Sequence, residues 1–238
     1  MKKALMILVS VALGATMASA ITTNVVSKNT VGFYSTSFVS GKPKMQAMQF
    51  CKVGGLTNTL ADLPLDSATF DQTQISIPHL VGPEVVWDLY TLQDGEIPKG
   101  WYNDAFDYMG DLKIPAGQGF WVIPSVNGGV SSGEVIYDDV AVSLVGGKPT
   151  LLGNPFPVEL KLKDLPFNPT THDQTQISIP HLVGPEVVWD LYTLQDGETP
   201  KGWYNDAFDY MGELILPVGQ GFWLIPSVTG TITFTSPL

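Results

Sequence analysis

The chain has 238 residues, with 12 Lys and no Arg against 23 Asp plus Glu, 3 His and 1 Cys, for a formal charge of −11. An apolar content of 44% with 15% charged residues excludes a disordered chain and a coiled coil, and the acidic, guanidinium-free composition excludes a protein that tracks nucleic-acid phosphates. One Cys supplies neither an internal disulfide nor a thiolate metal cluster, and the length suits one large domain or two ordinary ones.

Residues 1–20 read as a secretory signal peptide: Lys2 and Lys3 form the charged end, residues 4–13 an apolar run, and Ala18-Ser19-Ala20 a small-residue cleavage site. The alternative, an N-terminal anchor, needs a run of about 20 apolar residues, and this one is shorter. No later run is long enough to span a bilayer as a helix. The expected mature product is therefore an exported bacterial protein without a transmembrane segment, secreted, periplasmic or on the cell surface. Losing both N-terminal lysines takes its formal charge to −13.

An internal repeat dominates the rest. Residues 71–126 recur at 173–228 with 50 of 56 identical, the exceptions being Ile97/Thr199, Asp111/Glu213, Lys113/Ile215, Ile114/Leu216, Ala116/Val218 and Val122/Leu224. Fainter echoes, Gly41-Lys42-Pro43 with Gly147-Lys148-Pro149 and Ala61-Asp62-Leu63-Pro64 with Lys163-Asp164-Leu165-Pro166, extend the unit to a module of ordinary domain size. The copies carry −6 and −7, all six Trp and six of the eight Tyr, so the acidity and the aromatic content belong to the repeat. The division expected is signal peptide 1–20, module 1 over 21–129 and module 2 over 130–238.

In chain order, strands are predicted at 33–39, 45–50, 74–77, 84–92, 101–102, 106–109, 120–123, 134–137, 140–145 and 151–152, from β-branched and aromatic runs between Gly, Pro and Asp-Gly breaks. Pro78 is expected to end the run at Ile77. In 84–92 the alternation puts Val85, Trp87 and Leu89 on one face, and Trp87 is predicted to enter the core. Single helical turns are expected at 60–63 and 163–165. The fold class implied is all-β, with two tandem β-sandwich modules of Greek-key or jelly-roll wiring after the signal peptide.

Leu151-Leu152-Gly153-Asn154-Pro155-Phe156-Pro157, an acidic strand carrying Trp189, Gly202-Trp203-Tyr204, and Pro217-Val218-Gly219-Gln220-Gly221-Phe222-Trp223 come in that order. This order resembles a β module repeated in exported proteins of Gram-negative bacteria, with an LxGNPxP opening and a PxGQGFxV closing strand. Asn24-Val25-Val26 through Gly32-Phe33, with Met48-Gln49-Phe50 ahead of Val53-Gly54-Gly55, is similar to the start of the same proteins. The resemblance implies secreted or surface-exposed β-sandwich modules and no particular activity. Ala47 to Cys51 departs from the opening motif in the first copy.

Enzymatic patterns are absent. The Gly-Gln-Gly turns lack a third Gly and a Lys-Ser/Thr pair, Ser76, His79 and Asp88 have no nucleophile elbow, and the three His lack zinc spacing. A non-enzymatic structural or adhesion-type protein of the envelope or extracellular space is the expectation, with self-association a consequence of near-identical neighbours.

Bivalent carbohydrate binding is the alternative. Trp101 and Tyr102, with Asn103, Asp104 and Gln118, form a candidate platform for a glycan, repeated as Trp203, Tyr204, Asn205, Asp206 and Gln220, unless the rings are core. Calcium is the one candidate ion, with Asp104, Asp107 and Asp111 and their counterparts Asp206, Asp209 and Glu213 as hard oxygen ligands, aided by Asp94 and Glu96, unless these form a solvated acidic rim.

Overall fold

A computed structural model describes residues 31–36, 38–51, 57–82, 84–184 and 186–237. The predicted signal peptide, Asn24 to Val26 and Val53 to Gly55 lie outside the described residues. The described fold is all-β.

The first half contributes β1 (Val31–Thr36), β2 (Lys44–Ala47), β3 (Phe50–Cys51), β4 (Thr57–Thr59), β5 (Gln74–Val81), β6 (Glu84–Gln93), β7 (Gly100–Asn103), β8 (Lys113–Pro115), β9 (Gly119–Ile123) and β10 (Gly129–Val135). The second contributes β11 (Val140–Leu144), β12 (Thr150–Gly153), β13 (Leu160–Lys161), β14 (Gln176–Val183), β15 (Glu186–Gln195), β16 (Gly202–Asn205), β17 (Ile215–Leu216), β18 (Gly221–Ile225) and β19 (Gly230–Phe234). Identical segments form identical antiparallel sheets, in the order β2-β9-β5-β6-β7 and β12-β18-β14-β15-β16. Hairpins join β5, β6 and β7, and β9 returns beside β5, which is the spatial order of a Greek key. Short ribbons complete each set: β4 with β8 and β13 with β17, and, at the flanks, β1-β10-β3 and β11-β19.

The boundary expected at 129/130 falls inside β10, which pairs with β1 and β3.

One core fills the space between the first five-stranded sheet and the β4–β8 ribbon. Ile75 and Val122 pair across β5 and β9, Leu92 and Trp101 across β6 and β7, and Leu60 and Ile114 meet them from the ribbon side. The second core repeats this with Ile177, Leu224, Leu194, Trp203, Leu162 and Leu216, and it also takes in Cys51, Ala116 and Ile136 from the first half.

The expected turns at 60–63 and 163–165 are 3-10 helices, Leu60–Asp62 and Leu162–Asp164. Three local expectations fail. Pro78 does not end its strand, because pairing with β9 stops at Ser76 and the strand beyond has an open edge where a proline is tolerated. Residues 106–109 form a loop instead of a strand: Asn103 Oδ1 accepts from the Ala105 and Asp107 amides at 3.0 and 2.8 Å and closes it. A short helix, Ser67–Phe70, was not anticipated, and Asp66 Oδ2 caps it by accepting from Thr69 N at 3.1 Å.

Candidate functional site

Each five-stranded sheet turns one face to its own core and the other toward the opposite copy. In β9 the alternation sends Phe120 and Val122 inward, while Trp121 lies on the other face with its β2 partner Met45. There the copies meet by reciprocal contacts. Trp87 packs edge-to-face on Trp223 with ring centroids 5.6 Å apart, and Trp121 does the same with Trp189 at 5.9 Å. Ala47 N donates to Gly219 O at 3.1 Å, and Gly153 N to Gly117 O at 3.0 Å. Every one of these contacts occurs twice with the copies exchanged, which is the isologous relation of a two-fold dimer realised inside one chain.

The Gly-Asn-Pro motif serves this meeting. A Cβ on Gly153 would overlap the Ala47 Cβ and lie 2.7 Å from Gln220 O. Asn154, buried, holds the following turn by donating to Val158 O at 2.6 Å and accepting from Phe156 N at 3.0 Å. The first copy has Met48 and Gln49 at this turn, and both polar atoms of the buried Gln49 side chain lack a hydrogen-bond partner.

Beyond Ser76 and Tyr90 the β5–β6 pair continues as a two-stranded arm over residues 77–89, unsupported by β9 or β7. The second copy repeats it over 179–191. A lone two-stranded ribbon is marginal in water, and each arm is docked through its Trp on the opposite copy. The outer parts remain apolar and exposed, at Leu80, Val81, Val86 and Trp87 and again at Leu182, Val183, Val188 and Trp189.

Two clefts lie under the arms. Trp121, Met45, Pro180, Leu182, Val187 and Gln220 border one of about 300 Å³. Its counterpart, about 440 Å³, is bordered by Trp223, Leu151, Pro78, Leu80, Val85 and Gln118. A third, open groove of about 480 Å³ runs past Trp87, Asp88, Tyr90, Asn103, Asp104 and Met109.

The predicted platform is not formed. Trp101 and Trp203 are each 1% exposed, and Tyr102 and Tyr204 are also buried, their hydroxyls donating to Pro98 O and Pro200 O at 2.6 and 2.7 Å. The correction has a simple cause: β7 and β16 are sheet strands whose Trp pairs with core Leu92 or Leu194, so the ring enters the core instead of standing as a platform. Trp87, expected in the core, is 41% exposed, as is Trp189; Tyr90 and Leu92 on the alternate face are the buried residues of β6. Gln118 and Gln220 sit in the clefts between copies, away from the other platform residues, whereas Asn103 and Asp104 reach the groove beside Trp87. Asn205 repeats the Asn103 loop contacts, and Asp206 is exposed like Asp104.

The acidic residues do not converge either. Among the described residues no group of three or more His, Cys, Asp or Glu side chains is placed to hold a metal ion. Asp107 and Asp209 accept from Asn103 and Asn205 at 3.2 and 3.3 Å, and Asp104, Asp111 and Asp206 are exposed. Asp94 accepts from Lys99 and Ser67, whose hydrogen bonds hold its carboxyl below the usual range. Glu213 accepts from Lys161 and Lys163, and those two hydrogen bonds hold it down at about 2.

His79 Nδ1 lies 3.0 Å from Asp88 Oδ2, and His181 from Asp190 likewise, both pairs half-exposed on the arms. Among the described residues no serine or threonine hydroxyl is hydrogen-bonded to either imidazole, and Ser76 faces Leu89 and Trp121 across its strands. Burial first, then the Glu134 carboxylate, pushes the Cys51 thiol up to about 11, which leaves it protonated and unreactive at neutral pH. No helix among the described residues is long and apolar enough to cross a membrane. Compared with family models, curated proteins and solved structures, the chain matches none.

Proposed function

We infer that this chain is an exported, non-enzymatic structural or adhesion-type protein of the bacterial envelope or extracellular space, acting through two copies of one contact surface. The observation that carries this reading is the pair of arms. Each is locked to the opposite copy at its Trp and exposes apolar side chains beyond it, a feature that single soluble chains keep small and that marks contact surfaces. Duplication on a fixed frame lets two such surfaces act together, with the avidity of a bivalent contact.

The experiment is co-sedimentation of the chain lacking residues 1–20 with isolated bacterial envelope, compared with the variant Val81→Ser/Val183→Ser. Both valines are more than half exposed, so the substitutions leave the cores intact. The reading expects envelope binding that falls at least several-fold in the variant. Binding unaltered by the substitutions, or none by the parent chain, overturns it.

Bivalent carbohydrate binding is the second reading. The groove where the half-exposed Trp87 ring lies near Asn103, Asp104 and Asp88 supports it. A glycan array read with the chain and with Asn103→Ala/Asn205→Ala tests it: a signal lost in the variant favours the sugar, and no signal removes this reading.

A further inference from the structure

The arms have two open strand edges of unequal character. On the β5 side, Pro78 interrupts the row of amide donors, a common guard against strand addition. On the β6 side, residues 84–89 pair with β5 alone and have no second strand partner among the described residues, because pairing with β7 begins only at Tyr90. That edge reads Glu84-Val85-Val86-Trp87-Asp88-Leu89, free of Pro and Gly and rich in residues that favour strands. The β15 edge, 186–191, has the same sequence and the same open side.

We propose that the exposed β6 and β15 edges pair with the same edges of a second copy of this chain, so that chains join arm to arm into an open-ended assembly.

The edge is complementary to itself, and charge selects the register. Antiparallel pairing of like edges about a two-fold axis normal to the sheet sets residues of the same face opposite each other. Centred on Val86, it would put Glu84 opposite the Asp88 of the other chain, and like charges directly opposite are destabilising. Centred on Trp87, it puts Trp87 opposite Trp87, Val86 opposite Asp88 and Val85 opposite Leu89, with no acid facing an acid. Of the two registers only the second suits an acidic chain. Each molecule carries one such edge on each copy, and two self-complementary edges in fixed relation generate a filament unless rotation closes it. The formal charge, −13 without residues 1–20, opposes approach, so salt should promote assembly.

This deepens the structural side of the reading above and rests on it only for its setting. The test is light scattering behind size-exclusion chromatography, with electron microscopy, on the chain lacking residues 1–20 over a range of concentration and salt. The parent chain should grow beyond dimers as either rises. Val86→Glu/Val188→Glu places an acid opposite Asp88 and should remain monomeric; Val86 is exposed and sits across from His79 in its own arm, so its fold is preserved, which circular dichroism checks. Val86→Lys/Val188→Lys should assemble at lower concentration, by roughly two- to fivefold for each added charge pair. The single variant Val86→Glu retains one usable edge and should stop at dimers. A parent chain that stays monomeric throughout, a Glu pair that assembles like the parent, or a Lys pair that assembles less well overturns the proposal. Should the Glu pair lose assembly and still sediment with envelope, the adhesive reading stands separately; should both fail in the parent, both fall.

Discussion

The two copies are nearly the same sequence over the repeat, yet they differ at the turn that opens each module. In the second copy Asn154 is buried with both ends of its carboxamide engaged, while in the first the corresponding stretch buries Gln49 with neither end engaged. At the rim, Glu213 sits between Lys161 and Lys163, whereas the equivalent Asp111 has Thr59 and Ala61 at the lysine positions. The repeat thus sets sheets and cores twice over, and the flanks decide how well each copy is finished. A second contrast runs within each copy, between a Trp that ends up in the core and one that ends up between copies.

The largest effect should come from that second contrast. Trp101→Ala and Trp203→Ala each empty a fully buried site and should cost about 3–5 kcal/mol in urea unfolding. Trp87→Ala removes a half-exposed ring and one edge-to-face contact and should cost about 1–3 kcal/mol. Equal losses would erase the distinction.

Next comes the crossing of the copies. Gly153→Ala forces a methyl group against Ala47 and Gln220 O and should destabilise by about 1–3 kcal/mol, and pairing it with Ala47→Gly should recover part of the loss. The opening turns differ in sign. Asn154→Ala should cost about 1–3 kcal/mol by leaving Phe156 N and Val158 O unpaired, whereas Gln49→Met should raise stability by about 1 kcal/mol by removing two unmet polar atoms.

The smallest effect is at the rim and depends on pH. Glu213, held at about 2, lies below the ordinary carboxylate value of about 4.3, so its lysine contacts contribute stability above about pH 4.3 that is lost as the pH falls through about 2. Acid titration of unfolding should show Glu213→Gln converging with the parent chain over that window.

Much of the fold was legible because strand alternation and turn residues are local. The repeat itself foretold that its strands would pair the same way twice, and the 3-10 turns followed from the Ala-Asp-Leu-Pro and Lys-Asp-Leu-Pro echoes. What alternation cannot decide is which face of β6 meets the core, since Trp87 and Leu89 look as apolar as Tyr90 and Leu92. The answer comes from the opposite copy, which takes the Trp87 face through Trp223. For the same reason the strand at Trp101 and Tyr102 was legible while the side its rings take was not; pairing with Leu92 across the sheet puts Trp101 inside. Pro78 misled because a proline ends central strands and is tolerated on open edges, and edges are a property of the whole sheet. The platform and calcium residues were chosen for proximity in sequence, while the chain sends Gln118 to a cleft between copies and leaves Asp104 and Asp111 apart on the surface.

Reciprocal packing of the copies is what docks both arms, and it can be read directly. In a chain with labelled tryptophans, nuclear Overhauser contacts between indole protons should link Trp87 with Trp223 and Trp121 with Trp189, whose ring centroids lie 5.6 and 5.9 Å apart, and should not link Trp101 with Trp203. Two cross-copy contacts in dilute, monomeric solution are the predicted result. Their absence, with the core contacts of Trp101 and Trp203 intact, would mean that the copies fold as described and do not embrace.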